Sequence, residues 1–319
     1  MAPDSWNLYW SLTSPVTTGS NKITGVTSPY VHTGLTNGTP YYYAVTAVKG
    51  GLESVLSNEG SGTPAWQGFL DKLSLTAIMA LSPFQRRNAY AGAILRARDA
   101  AGNEQDIGVD ANRYFDAAAW TAFGGVLVPK WYDQAPTPHD PYQNTVNNMP
   151  KCNLSAINSL AGITFFDTAD RQFGTASFTF SQPFSVLIVE KAQDSAYRGW
   201  LGQNGGAWFC RRDASKRYCG GAPTERNSGA VTVDTNAHLL EWQFNGANSA
   251  LLKDGIALTM SSADWGTNNH TGGVNVGSDG GYTLYGSLCE VYIFAGLLST
   301  ADRAVIKTYL GTPYGITLP

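Results

Sequence analysis

Charged side chains are scarce in this sequence. Asp, Glu, Lys and Arg make up 14% of its 319 residues, and the formal net charge is -3. So small a charge gives no field for gripping nucleic acid, and no such partner is expected. The basic run CRRDASKRYC, Cys210 to Cys219, contains an Asp and reads as a solvated hairpin. Long apolar runs are missing too. None approaches the roughly 20 residues that span a bilayer as a helix, so no membrane partner is expected. The opening MAPDSWNLYW lacks the basic-then-apolar order of a secretory signal. Cysteine is sparse: Cys152, Cys210, Cys219 and Cys289 form no CxxC pair, and the four histidines are scattered. That excludes the usual zinc patterns. Cys210 and Cys219 are spaced to bridge the arms of a hairpin, while the redox state of all four stays open.

Turn formers and apolar residues are abundant instead. Hydrophobic residues make up 43% of the chain and glycine occupies 35 positions. Such a chain buries a sizeable core and turns often, as all-β domains do. Residues 1–64 read as strand and turn throughout: WNLYWS, NKITGV, YVHTGL and TPYYYAVTAVKGG alternate between Gly, Asn, Pro and Ser breakers. In AWQGFLDKLSLTAIMALSPF, residues Trp66, Phe69, Leu70, Leu73, Ala77 and Leu81 recur at helical spacing, which predicts one helix or two short ones, closed by Pro83. The strand pattern returns from Tyr90 to Leu298. LSTADRAVIKTYLGTPYGI then predicts a closing helix, with Ser299 as N-cap, Asp302 three residues on and Gly311 after the last turn. Two domains are expected, 1–64 and 65–319.

GLTNGTPYYYAVTAV resembles the loop and penultimate strand of a fibronectin type III domain, with Leu35, Gly38 and Tyr41 at the places of its tyrosine corner. The resemblance implies a partial sandwich. A complete one takes about 100 residues, and this one starts at what reads as the third strand. Tyr9, Val45 and Val48 are then expected to be partly uncovered. An open sheet edge invites pairing, so an oligomer or larger assembly joined to other protein chains through residues 1–64 is expected.

WQFNGANSALLKDGIAL and VNVGSDGGYTLYGSLCEVYIFAGLLSTADRAVIKTYLGTPYGI resemble the concanavalin A-like, laminin-G-like jelly rolls of bacterial surface and phage tail or virion proteins. YAGAILRARDAAGNEQDIGVDANRYFDAAAWTAF, leading into WYDQ, resembles the catalytic domain of the α-L-arabinofuranosidase B family. Together these passages cover most of Leu81 to Ile316. The implied fold class is all-β: a partial fibronectin type III sandwich, then a jelly-roll sandwich with short flanking helices.

The family resemblance also implies chemistry. Retaining glycosidases flank the scissile bond with two carboxyl groups about 5 Å apart. Asp279, in VGSDGG, matches the family's acid. The nucleophile's segment falls near Arg198 to Arg212, RGWLGQNGGAWFCRR, which holds no Asp or Glu. The adjacent cysteine pair that accompanies the family's nucleophile is missing as well. Glu190, Glu241 and Glu290 remain as substitutes, but each sits in or beside an apolar strand pattern, where a paired structural carboxylate is expected. A lone Asp among glycines is most often a turn former. The first reading is therefore a non-catalytic module.

Sugars are held by aromatic faces against their C–H patches and by amides or carboxylates on their hydroxyls. The candidate ligand-binding residues are Trp208 with Gln203 and Asn204, and Trp265 with Asn268, Asn269 and His270, close in sequence to Asp279 and Tyr282. Trp131 and Tyr132 read as core. No cofactor is implied; calcium on Asp264 and Asp279 is the one metal weighed, without a dense acidic cluster to hold it. The expected function is a lectin-like module for adhesion or carbohydrate recognition, of phage tail or decoration type, on an extracellular or virion surface. Its partner is a glycan or cell-surface polysaccharide. The alternatives are a structural assembly protein that binds no sugar and an arabinofuranosidase-like hydrolase.

Overall fold

The computed structural model describes residues 2–166, 171–193, 198–203, 207–213, 215, 218–229, 231 and 234–319. The chain folds as two compact units, residues 1–67 and 68–319.

The first unit is an antiparallel sheet in the order Asn21–Val26, Ser5–Ser11, Tyr41–Lys49, Leu52–Glu53, with Gly60–Gly62 also paired to Tyr41–Lys49. Strand alternation sorts its side chains onto two faces. On one face Asn7 Nδ2 and Tyr9 Oη donate to Glu53 Oε1 at 2.7 and 2.8 Å, and Lys22 Nζ reaches Oε2 at 2.8 Å. Tyr9 is buried by this network, contrary to the expectation that it lies uncovered. Val45 and Val48 are half-buried, as an incomplete covering predicts. On the other face Trp6, Leu8, Tyr43 and Val45 floor an apolar cavity of about 720 Å³, walled by Tyr30, His32 and Leu35. Tyr41 Oη accepts the Thr36 N–H at 3.0 Å and ties the preceding loop to its strand.

The second unit is a two-sheet sandwich. Its larger sheet runs Lys151–Ile157, Leu160–Phe165, Gly286–Phe294, Phe184–Ala192, His238–Phe244, Ala250–Lys253, Ile256–Ala257, with Ala77–Leu81 also on Gly286–Phe294. All nine residues of Gly286–Phe294 are buried, because both faces of this sheet are covered. Val186 and Ile188 enter the core between the sheets; Leu187 and Val189 enter a second cluster beneath the C-terminal helices. Coverage on both sides is why these strands read as unbroken apolar runs.

The facing sheet runs Phe173–Gly174, Val274–Val276, Arg198–Gln203, Phe209–Arg212, Tyr218–Gly221, Arg226–Asn227. Three further strands, Glu104–Ile107, Leu95–Arg98 and Leu127–Trp131, continue it through Tyr142, which bridges to both Lys130 and Gly174. One face of this sheet packs on the core. Its other face carries the site described below.

The helix expected over residues 66–83 is a correction. A 3-10 turn at Leu70–Lys72 is followed by strand Ala77–Leu81, with Leu81 opposite Val291. The run AIMAL suits a buried strand paired on one side with Gly286–Phe294, and its approach is fixed by Asp302 Oδ1 accepting the Ser74 N–H at 2.8 Å. At the C-terminus the Ser299–Asp302 capping box forms and opens helix Thr300–Ile306. This helix continues past Gly311 and ends at Gly315, whose φ of 70° is the left-handed cap. Gly311 is needed for space instead: a Cβ there would lie 3.0 Å from Ile316 O. No described helix is long and apolar enough to cross a membrane.

Candidate functional site

The loop after Val274–Val276 is shaped by glycine. Gly277 and Gly280 have φ of 82° and 94°, and the chain turns back so that Ser278 bridges Thr283. Inside the turn Asp279 Oδ1 accepts the N–H groups of Gly281 and Tyr282, at 2.9 and 2.8 Å. The turn lies directly over strand Arg198–Gln203. A bulge there keeps both Trp200 and Leu201 in the core and turns Gly199 and Gly202 outward. A Cβ on Gly199 would sit 2.5 Å from Asp279 N, and one on Gly202 would sit 2.8 Å from Asp279 O. The two glycines make room for the turn.

Asp279 Oδ2 takes a third donor, Arg211 Nη1, at 3.2 Å. Arg211 Nη2 pairs with Glu225, and its guanidinium lies 4.2 Å over the Phe209 ring. One planar fork thus joins two carboxylates. Exposure separates their roles: the side chain of Asp279 is 1% exposed, those of Arg211 and Glu225 are 19% and 36%, and Tyr282 is 46% exposed. Asp279 holds the fork, while Arg211, Glu225 and Tyr282 meet solvent.

Glu225 lies outside the segment searched for a second acid, and sequence reasoning missed it. The usable signal was the hairpin. Phe209–Arg212 pairs with Tyr218–Gly221, Arg211 opposite Cys219, so the return of the chain brings residue 225 back beside residue 211. The same register corrects two expectations. Cys210 pairs with Gly220, so Cys210 and Cys219 are offset by one and face opposite sides of the sheet; none of the four cysteines is in a disulfide among the described residues. The basic run is not a wholly solvated hairpin either. Arg212 is fully buried, with its guanidinium 5.7 Å from the Trp200 ring.

Asp213, Cys219 and Glu225 place ligand atoms within 4.8 Å of one another. Burial, then Glu225 and Asp213, push the Cys219 thiol up to about 12. A metal would have to displace both that proton and the Arg211 ion pair.

The predicted aromatic contacts are corrected by burial. Trp208, Trp265 and His270 are fully enclosed and have no face to offer a sugar. Trp208 Nε1 donates to His270 Nδ1 at 2.9 Å, and Trp265 packs edge-on against Phe244 at 5.3 Å. They fill the gap between the sheets, and Gly220 makes room for Trp265: a Cβ there would lie 2.7 Å from its ring. Asn268 and Asn269 are exposed but are tied to Gln182, which donates to Asn268 O at 2.9 Å and Asn269 Oδ1 at 3.0 Å. Gln203 is buried, and its Oε1 accepts the Thr271 N–H at 3.1 Å. Asn204 lies outside the described residues. Asp264 caps its own turn through the Gly266 N–H at 3.1 Å. Trp131 is buried, whereas Tyr132 is half-buried and donates to Asp106 at 2.7 Å.

The other three glutamates do not reach this site. Glu290 is enclosed by Arg86, Tyr292 and Tyr314. Glu241 pairs with Arg303 at 2.7 Å. Glu190 is fully buried, one oxygen has no partner, and burial raises its carboxyl to about 7.

The sequence matches no family model, and no curated protein matches it. Among solved structures, it is similar to an arabinofuranosidase complexed with arabinofuranosyl-α-1,2-xylobiose, at TM-score 0.61 and 12% identity, covering 78% of this chain and 65% of that one. A GH54 α-L-arabinofuranosidase soaked with a cyclic sulfate inhibitor gives TM-score 0.59 at 12% identity, covering 78% and 66%. A variant GH54 α-L-arabinofuranosidase soaked with 4-nitrophenyl α-L-arabinofuranoside gives 0.58 at 12%, covering 78% and 66%. The chain therefore spans just under two thirds of each of these proteins. At such identity the likeness shows a shared fold, a β-sandwich found in a carbohydrate-acting enzyme.

Proposed function

We propose that this protein is a non-catalytic carbohydrate-recognition module. The observation that carries the reading is the Arg211 fork, clamped by Asp279 and Glu225, with the exposed Tyr282 on the same turn as Asp279. A fixed guanidinium donates to sugar hydroxyls, a carboxylate accepts from them, and a tyrosine face covers C–H patches. The sandwich it shares with arabinofuranosidases supports the substrate class. Binding to a glycan array, lost on Arg211→Ala, tests the reading; an array with no hits overturns it.

Hydrolysis is the second reading, favoured by the single fact that Asp279 and Glu225 share one guanidinium. A general acid must reach the leaving oxygen with a free proton. The Asp279 carboxylate is enclosed and already accepts from three donors. The recognition reading therefore stands first. An extracellular or virion surface, and a role in adhesion, are part of the proposal and rest on sequence resemblance. So does association through residues 1–64, where the open apolar cavity of the first unit offers a strand of another chain a surface to cover.

A further inference from the structure

A row of paired positions crosses the outer face of the second sheet: Tyr142, Gly174, Asn275, Gly202 and Phe209. Tyr142 and Gly174 exchange two backbone hydrogen bonds at 3.0 Å. With glycine on either side, Asn275 stands alone on a flat floor. Beside it lies a cavity of about 230 Å³, lined among others by Tyr142, Gln143, Gln172, Thr175 and Asn275.

Three features of this cavity ask for a ligand. Asn275 is 9% exposed, yet its side-chain amide makes no hydrogen bond among the described residues. Gln172 Oε1 is buried without a partner. A buried amide oxygen without a partner is costly, and the Asn275 amide is left for a ligand hydroxyl. Tyr142 is 44% exposed at the rim and offers a ring face. Among the described residues, no charged side chain lines the cavity. Its volume equals about eight waters, room for one sugar ring and too little for two.

We infer that this cavity is a second subsite that takes one neutral sugar ring of a glycan whose other end lies on Arg211 and Tyr282. The two places are contiguous, since a Cβ on Gly280 would come 3.4 Å from Asn275 Nδ2, one residue beyond Asp279. The subsite rests on the carbohydrate reading and extends it: the ligand is an oligosaccharide, uncharged at the Tyr142 end.

An NMR titration of the full protein tests this, following the side-chain amides of Asn275 and Gln172. The probes are L-arabinose, D-xylose, D-galactose and arabinofuranosyl-α-1,2-xylobiose, with sialic acid as the charged control. Neutral sugars are expected to shift both amides, and sialic acid to leave them unmoved. Tyr142→Ala should weaken the trisaccharide about tenfold, the scale of one aromatic contact. Asn275→Ala should do likewise with an unchanged melting temperature, because that amide makes no internal bond to lose. Shifts confined to Arg211 and Tyr282, unaffected by either variant, would overturn the subsite and leave the recognition reading standing. No shift anywhere with any sugar would overturn both.

Discussion

Arg211 Nη1 and Asp279 Oδ2 lie 3.2 Å apart, joining a hairpin strand to a glycine turn far along the chain. The carboxylate is the inner partner of this ion pair and the guanidinium the outer one. Substitutions at Asp279 should therefore act through Arg211.

Asp279→Ala leaves two backbone N–H groups without their acceptor and is expected to cost about 1–3 kcal/mol in urea denaturation. Asp279→Asn keeps a carbonyl oxygen for them and should be close to wild type in stability. Both should weaken glycan binding measured by calorimetry. Retained affinity in Asp279→Asn would show that the ion pair does not position Arg211.

No release of nitrophenol from 4-nitrophenyl α-L-arabinofuranoside above background is expected. Turnover abolished by either Asp279→Asn or Glu225→Gln would establish hydrolysis instead.

Trp265 is a core residue, so Trp265→Ala should cost about 3–5 kcal/mol in stability. Under conditions where the variant stays folded, its glycan affinity should match wild type. A selective loss of affinity in a folded variant would return Trp265 to the binding surface.

Stability should fall as pH rises from about 4 to 7. Burial raises the carboxyls of Asp133 to about 6 and Glu190 to about 7, so folding favours their protonated forms. That stability is full below their unfolded values near 4 and is lost as pH rises to 6 and 7. Burial opposes charge on His238, but Asp254 and Asp234 outweigh it and raise its value, so its contribution also fades as pH rises. Burial lowers His270 to about 4, so its contribution is present above 6.5 and lost as pH falls toward 4. The urea midpoint should fall between about pH 4 and 7, where the two carboxyls together outweigh His270, and Glu190→Gln should flatten this alkaline limb. An unchanged alkaline slope in that variant would remove Glu190 as its source.

Much of this fold was legible. Strand patterning, the Ser299–Asp302 box and the glycine turn at Asp279 are local signals, and local physics decides them. The stretch from Leu70 to Leu81 shows where such signals fail: its apolar spacing fits a helix, yet pairing with Val291 makes AIMAL a strand. The site was harder still. Trp208 and Trp265 sit among polar, turn-forming neighbours, and only the opposing sheet reveals that their rings point inward. Glu225 becomes visible only once the hairpin register is known. Asn275 is one amide among many until glycines at 174 and 202 strip the floor around it.

The first unit offers a test of association. Light scattering should find an oligomer for the full chain and a monomer for a shortened chain beginning at Ala65. Monomers in both cases would leave the cavity beside Trp6 and Tyr43 with no second chain to cover it.

The central strand of the larger sheet also sets a clock. Leu81 and Val291 are partners separated by about 200 positions, and Phe184–Ala192 meets Gly286–Phe294 across about a hundred. During synthesis the earlier strands emerge with their apolar edges open and wait for almost the whole chain. Folding of this unit should therefore be slow and late, completing only after the segment around Val291 has left the ribosome, with the half-made sandwich prone to aggregate until then.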